Sequence, residues 1–309
     1  MDLQQELNKT GGFKNLELLA KQVVEGFIAG MHKSPFHGFS AEFAEHKIYN
    51  PGESTRHIDW KLYAKTDRLY TKRYDEETNL RCHIILDNSR SMHYPETAGT
   101  ALDNLNKIAF SALASASLMH ILKKQRDAVG LSIYSDTYDF YSPEKGSERH
   151  HQMLLHKLSD AVVSKSETKT TETYRYLHQI AEKIHRRSLI FVFTDMFQTS
   201  EDDEKLFEAL RHLKHNKHEV VFFHVFDKEK EQTFNFNNTP TRFIDVETGD
   251  HINLYADNIK ENYEKSVKEY FTDLKLRCGQ YRIKYVEADI NAGFNSILTT
   301  YMIERQKFI

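Results

Sequence analysis

Cys82-His83-Ile84-Ile85-Leu86-Asp87-Asn88-Ser89-Arg90-Ser91-Met92 is an apolar run that stops at a carboxylate and two alternate hydroxyls. A continuous apolar run bounded by polar turn residues is expected of a strand covered on both faces of a parallel sheet. Open α/β sheets bind ligands just beyond the carboxyl ends of such strands, so Asp87 marks a candidate site. In Asp-x-Ser-x-Ser, alternate residues of a short loop direct three oxygen-bearing side chains to one side. Such a donor set suits a hard cation like Mg²⁺, which keeps several waters and needs few protein groups. The same residue types also cap helices and close turns, and the pattern alone leaves both readings open.

The 309 residues, 39% hydrophobic and 28% charged, suffice for one large α/β domain with an appended segment. Residues 1–77 read as an N-terminal helix and extension packed on a main domain of residues 78–309. No apolar stretch approaches the roughly 20 residues needed to span a bilayer. Met1-Asp2-Leu3-Gln4-Gln5-Glu6 lacks a basic start followed by an apolar core. A cytoplasmic protein without direct membrane insertion is therefore expected. The 42 basic and 45 acidic residues are well mixed, for a net charge of −3, so no global field recruits nucleic acid. Cys82 and Cys278 form no CxxC pair, which argues against zinc ribbons and thioredoxin chemistry. His150, His151 and His156 read as the solvated face of a polar helix.

Outward from the opening strand, Leu16, Leu19, Val23, Phe27 and Met31 recur at helical intervals, widened by Leu18, Ala20, Val24 and Ile28, and predict a docking helix over 16–31. Residues 34–77 break that period around Pro-Gly turns. Arg56, Asp59 and Trp60, the only tryptophan, fall within five positions, and an internal Arg-Asp pair that fixes this segment on the main domain is expected. The basic residues that follow, Lys61, Lys65, Arg68, Lys72 and Arg73, are diluted by Asp59, Asp67, Asp75, Glu76 and Glu77.

After the opening strand, a long helix is predicted from near Thr100 to Lys124, a strand over 128–134 and a short strand reaching Tyr141. Helices over 147–163 and 172–186 then lead to Ser188-Leu189-Ile190-Phe191-Val192-Phe193-Thr194-Asp195, a second buried strand ending in a carboxylate. A helix over 201–216, a strand over 219–227, a hairpin within 242–254, a helix over 258–278, a strand over 281–287 and a helix over 291–305 complete the chain. Strands alternating with helices argue for parallel βαβ units, a doubly wound α/β fold with helices on both faces.

Asp87 and Asp195 both end strands of what should be one sheet, so both point into one crevice. Between them lies the hydroxyl-rich loop Lys165-Ser166-Glu167-Thr168-Lys169-Thr170-Thr171-Glu172-Thr173, in which Thr171 is the best third hydroxyl ligand and Thr170 the alternative.

The Asp-x-Ser-x-Ser, Thr and Asp set resembles the metal-ion-dependent adhesion site of von Willebrand factor A-like domains. Tyr49-x-Pro51-Gly52-Glu53-x-x-Arg56-x-Ile58-Asp59-Trp60, then Ala64-Lys65 and Glu76-Glu77, resembles the signature of the bacterial domain-of-unknown-function family fifty-eight. Genes of that family commonly lie beside those of MoxR-type AAA+ ATPases, and many members carry transmembrane helices ahead of this region; the present chain is expected to be a soluble short form. The resemblance implies a Rossmann-like, von Willebrand factor A-type fold. It further implies one Mg²⁺ ion (or Mn²⁺ or Ca²⁺) per chain, touched directly by Ser89, Ser91 and Thr171, with Asp87 and Asp195 acting through waters. The loop has Thr-Glu where the family often has Gly-Thr-Asp, which keeps Thr170 as an alternative.

A partner's Asp or Glu would fill the open coordination position, so the expectation is a non-enzymatic interaction module serving a MoxR-type ATPase or its client. Two rivals stand beside it: a Mg²⁺-dependent phosphohydrolase with Asp87 as nucleophile, and a metal-free interaction protein working through residues 34–77. The chain has no GxxxxGK, GxGxxG, GxSxG or HExxH motif.

Overall fold

Arg81–Asp87 (β3) forms the centre of a six-stranded sheet in the computed structural model, which describes residues 16–31, 46–48, 60–72, 80–96, 104–135, 139–163, 173–195, 200–244 and 251–308. Its other strands are Ala128–Tyr134 (β4), Phe140–Lys145 (β5), Leu189–Thr194 (β6), Glu219–Phe226 (β7) and Lys284–Asp289 (β10). The order is β10-β7-β6-β3-β4-β5, parallel throughout except for the antiparallel edge strand β5. Two small antiparallel pairs stand apart, His46–Ile48 (β1) with Tyr70–Lys72 (β2) and Thr241–Ile244 (β8) with His251–Leu254 (β9).

The central strands are apolar without alternation because both faces are covered. Cys82, Ile84 and Leu86 of β3 share a core with Phe191 and Phe193 of β6, under helices Leu16–Met31 (α1), Lys107–Lys124 (α3), Glu148–Val163 (α4) and Asn295–Arg305 (α8). Ile85 shares the opposite core with Ile190, Val192 and Phe222, under Thr173–Lys183 (α5), Ser200–His215 (α6) and Lys260–Gln280 (α7). The remaining α-helix among the described residues, Trp60–Thr66 (α2), precedes β2.

Almost every residue of α3 is buried, including those facing away from the sheet, which a helix tolerates only beneath another layer. That layer is α1, whose Leu16, Leu19, Ala20 and Val24 lie in the same core. Leu18 and Ile28, expected to widen the buried stripe, are exposed. The α3 helix starts at Lys107 and not near Thr100, because the Asn106 side chain accepts from the Ala109 N–H at 2.9 Å and caps it there. The predicted short strand reaching Tyr141 is the longer β5. The histidine expectation is corrected as well: His150 and His151 are buried, and His150 Nε2 donates to the Val129 carbonyl at 2.9 Å. Those two lie on the inner face of α4, whereas His156 is largely exposed.

Between β3, β4 and β5, the His83 imidazole meets Glu144 Oε1 through Nδ1 and Ser132 Oγ through Nε2, each at 2.7 Å. Burial is the largest single influence on Glu144 and works against its charge, but the His83 bond and charge, with smaller contributions from its own backbone N–H and His185, together hold that carboxyl below its usual range. The trio has the composition of a nucleophilic triad, yet all access to Ser132 and His83 is sealed, so it serves the sheet and not a substrate. Gly130 makes room for it. A Cβ there would lie 2.5 Å from His83 Nδ1 and 2.9 Å from the Ser142 carbonyl, so Gly130→Ala is expected to lower stability by roughly 2–3 kcal/mol, the upper range for overpacking. Equilibrium denaturation checks this, and an unaltered midpoint would show that the sheet yields without strain.

Candidate functional site

The sheet order explains why Asp87 and Asp195 meet. From β3 the chain crosses to β4 on one side, and from β6 it crosses to β7 on the other, while β3 and β6 are hydrogen-bonded neighbours. This reversal creates a crevice at their carboxyl ends. Asp87 is the last residue of β3, and Asp195 follows the last residue of β6.

The turn after β3 is tightly determined. Asn88 continues the ladder by donating its N–H to the Tyr134 carbonyl at 2.7 Å, and Ser89 N–H donates to Asp87 Oδ1 at 2.8 Å. A short 3₁₀ turn over Arg90–His93, anchored by buried Met92, then brings Ser91 Oγ to 3.1 Å from Ser89 Oγ. His93 Nε2 donates to Asn88 Oδ1 at 3.0 Å, and the Lys107 N–H donates to the Tyr94 carbonyl at 3.0 Å, tying the turn to the start of α3. Asp87 Oδ2 accepts from Thr194 Oγ1 of β6 at 2.6 Å.

Behind Asp195, His224 Nε2 donates to the Asp195 carbonyl oxygen at 2.9 Å, and its Nδ1 therefore accepts from the Tyr285 hydroxyl at 2.7 Å. Burial lowers the His224 pKa to about 4, so the ring stays neutral and this tautomer persists. The Lys107 ammonium lies 2.7 Å from Asp195 Oδ2 and 2.7 Å from Glu231 Oε1. Glu231 belongs to a π-helical turn over Lys228–Gln232 and accepts through Oε2 from the Asp227 N–H at 2.7 Å.

The electrostatics are lopsided. Burial, and then the Asp195 charge, push the Asp87 carboxyl up to about 6 against the hydrogen bonds from Thr194 and Ser89. Burial also raises Glu231, with Lys107 opposing. Burial disfavours the Lys107 charge, but Asp195 and Glu231 outweigh it and its pKa rises. Among the described residues Lys107 bridges two carboxylates, buried Asp195 and half-buried Glu231, and buried Asp87 lies close enough to Asp195 to feel its charge. An ionised Asp87 leaves that group short of positive charge.

Four sequence-predicted ligands thus converge: Asp87, Ser89, Ser91 and Asp195. Thr170 and Thr171 lie outside the described residues, as do Arg56 and Asp59. Trp60 opens α2 with its side chain 62% exposed and packs edge-on against Tyr63, so the ring contributes nothing to the core. Among the described residues no three His, Cys, Asp or Glu side chains gather as metal donors; the donors that gather at this edge are hydroxyls as much as carboxylates. The residues present fit a hard cation, because paired hydroxyls and a carboxylate suffice beside waters. Sequence reading missed Lys107, Glu231 and Thr194. A lysine at the head of an otherwise apolar helix was a readable signal for the first, whereas Glu231 sits inconspicuously in the charged run 227–231.

Comparison with known proteins gives a family but no activity. Uncharacterized proteins of Mycobacterium tuberculosis and Mycobacterium bovis are 27% identical over 107 residues, 35% of this chain and 32% of theirs; the chain spans about a third of the length of these relatives. Among solved structures, BatB from Bacteroides thetaiotaomicron has 18% identity and a TM-score of 0.46 over 74% of this chain and 98% of its own. An aerotolerance-related membrane protein from Bacteroides fragilis has 15% identity and a TM-score of 0.43 over 71% and 99%. Among the described residues no helix is long and apolar enough to cross a membrane. The model of the protein family of unknown function DUF58 matches residues 45–272, most of the sheet and both strand ends that carry the aspartates, and the chain belongs to that family.

Proposed function

We propose that this chain is a non-enzymatic protein-interaction module of the von Willebrand factor A-like type, which uses a divalent cation at the β3–β6 edge to bind an acidic side chain of a partner. The observation that carries the reading is the pair of Ser89 and Ser91 hydroxyls, 3.1 Å apart beside buried Asp87, in a group of side chains short of positive charge. Ser89 and Ser91 would hold the ion, Mg²⁺ or Mn²⁺ or Ca²⁺, together with Thr171 or Thr170, while Asp87 and Asp195 orient its waters. When bound, the ion supplies a fixed positive charge for a partner carboxylate, adding orientation and specificity to an interface whose area comes from surrounding side chains. The partner class proposed is a MoxR-type AAA+ ATPase or its client.

The chain's own hydrogen bonds favour holding over reacting. Both Asp87 oxygens accept bonds within the fold, Oδ1 from Ser89 and Oδ2 from Thr194, whereas a carboxylate nucleophile needs an oxygen turned toward substrate. The phosphohydrolase reading therefore ranks below the interaction module.

Two measurements test the proposal. A ligand that binds only the folded state raises its stability, so millimolar Mg²⁺ or Mn²⁺ is expected to raise the melting temperature of the wild type. Ser89→Ala with Ser91→Ala should abolish that rise while the metal-free melting temperature stays within a few degrees; a wild type indifferent to metal would overturn the reading. The second concerns pH. The folded-state pKa of Asp87 lies above its unfolded value near 3.8, so the folded metal-free protein binds the extra proton and loses stability as pH rises from about 4 through about 6. The loss is roughly 3 kcal/mol at order of magnitude. Asp87→Asn keeps the shape, since Asn can accept from the Ser89 N–H and donate to Thr194 Oγ1, and removes the charge. It should stabilise the metal-free protein at pH 8, change little near pH 4 and erase the metal-induced rise. Destabilisation at pH 8 would contradict this assignment of buried charge.

A further inference from the structure

Lys107 and Glu231 are the members of this cluster that cation binding does not require. The Lys107 side chain is 1% exposed, and its ammonium bridges Asp195 Oδ2 and Glu231 Oε1 at 2.7 Å each. As the first residue of α3, fixed by the Asn106 cap, it enters the crevice from the helix start, which its own N–H bond to the Tyr94 carbonyl ties to the turn that carries Ser91. Its tip also lies 5.8 Å from the centre of the Tyr94 ring. Glu231 is held independently of Lys107: Oε2 accepts from the Asp227 N–H, and the Glu231 carbonyl accepts from the Tyr263 hydroxyl at 2.9 Å. The lysine therefore has two carboxylates within reach, of which Glu231 is held by bonds of its own and Asp195 belongs to the cation site.

We propose that Lys107 is a built-in cation that occupies Asp195 when no metal is bound, so that the waters of a divalent ion must compete with it for that carboxylate, and that Glu231 is the second seat that lets the lysine give way. This rests on the cation-site reading above. A lysine ammonium is a compact point charge on a flexible four-carbon stem, able to shift its weight between two seats while the backbone stays fixed. Competition of this kind lowers the apparent affinity for the ion by the share of molecules in which Asp195 is taken. Without the ion the crevice then keeps a counter-charge, and the fold need not hold buried Asp195 beside buried Asp87 with no cation, a costly arrangement.

A double-mutant cycle read by calorimetric titration with Mg²⁺ and Mn²⁺ separates competition from bulk charge. Lys107→Met removes the competitor and is expected to tighten metal binding about tenfold or more. Glu231→Gln takes away the second seat, keeps the ammonium on Asp195 and is expected to weaken binding by a similar factor. In the Lys107→Met background, Glu231→Gln should alter the affinity far less, because no lysine remains to redirect; a merely electrostatic role would give it the same effect in both backgrounds. Equal effects in the two backgrounds, or unaltered or weaker binding in Lys107→Met, would overturn the inference. Should Lys107→Met fail to fold, Lys107→Gln takes its place with the same expectations. Absence of metal binding in the wild type and every variant would instead sink the cation-site reading itself, so the two failures are told apart.

Discussion

The structure depends on a cluster of like charges buried where the winding of the sheet reverses. Asp87 and Asp195 end neighbouring strands whose connections leave in opposite directions, and Glu231 closes in from the turn after β7. Burying one carboxylate without a partner costs several kcal/mol, and burying two near each other, with the half-buried Glu231 alongside, costs more. The surroundings are organised to tolerate this: Thr194 and the Ser89 N–H hold Asp87, Lys107 bridges Asp195 and Glu231, and neutral His224 fixes the Asp195 backbone. A fold under selection for stability alone would place apolar groups of similar volume there.

The architecture behind the cluster was legible from the sequence because its signals are local and strong. Runs such as Leu189–Thr194 and Glu219–Phe226 are too apolar for any position but the middle of a two-sided sheet. Asp87 and Asp195 could be matched because each closes such a run. Boundaries set by a single hydrogen bond were harder. The Asn106 cap starts α3 several residues after the start predicted near Thr100, and the exposure of Leu18 and Ile28 depends on how far α3 extends beneath α1, which no periodicity encodes.

The charge partners were the least legible. Lys107 lies 88 residues from Asp195 and 124 from Glu231 in the chain, so only the folded crossovers bring them together. The buried histidines follow the same logic: His150 reads as a surface residue of a polar helix until the Val129 carbonyl of β4 is placed beneath it. Polar residues earn burial through partners distant in sequence, whereas apolar residues declare it by pattern.

The central claim is that the Asp87 edge grips a small hard ion through hydroxyls, with Lys107 as its rival. The most direct measurement is anomalous diffraction from crystals grown with Mn²⁺. The account predicts a peak within coordination distance, about 2.1 Å, of Ser89 Oγ and Ser91 Oγ, with the Lys107 ammonium displaced from Asp195 toward Glu231. A well-ordered Ser89–Ser91 turn with no peak, or a peak confined to a surface position such as the His178–His212 pair, whose Nδ1 atoms lie 3.1 Å apart, would contradict it.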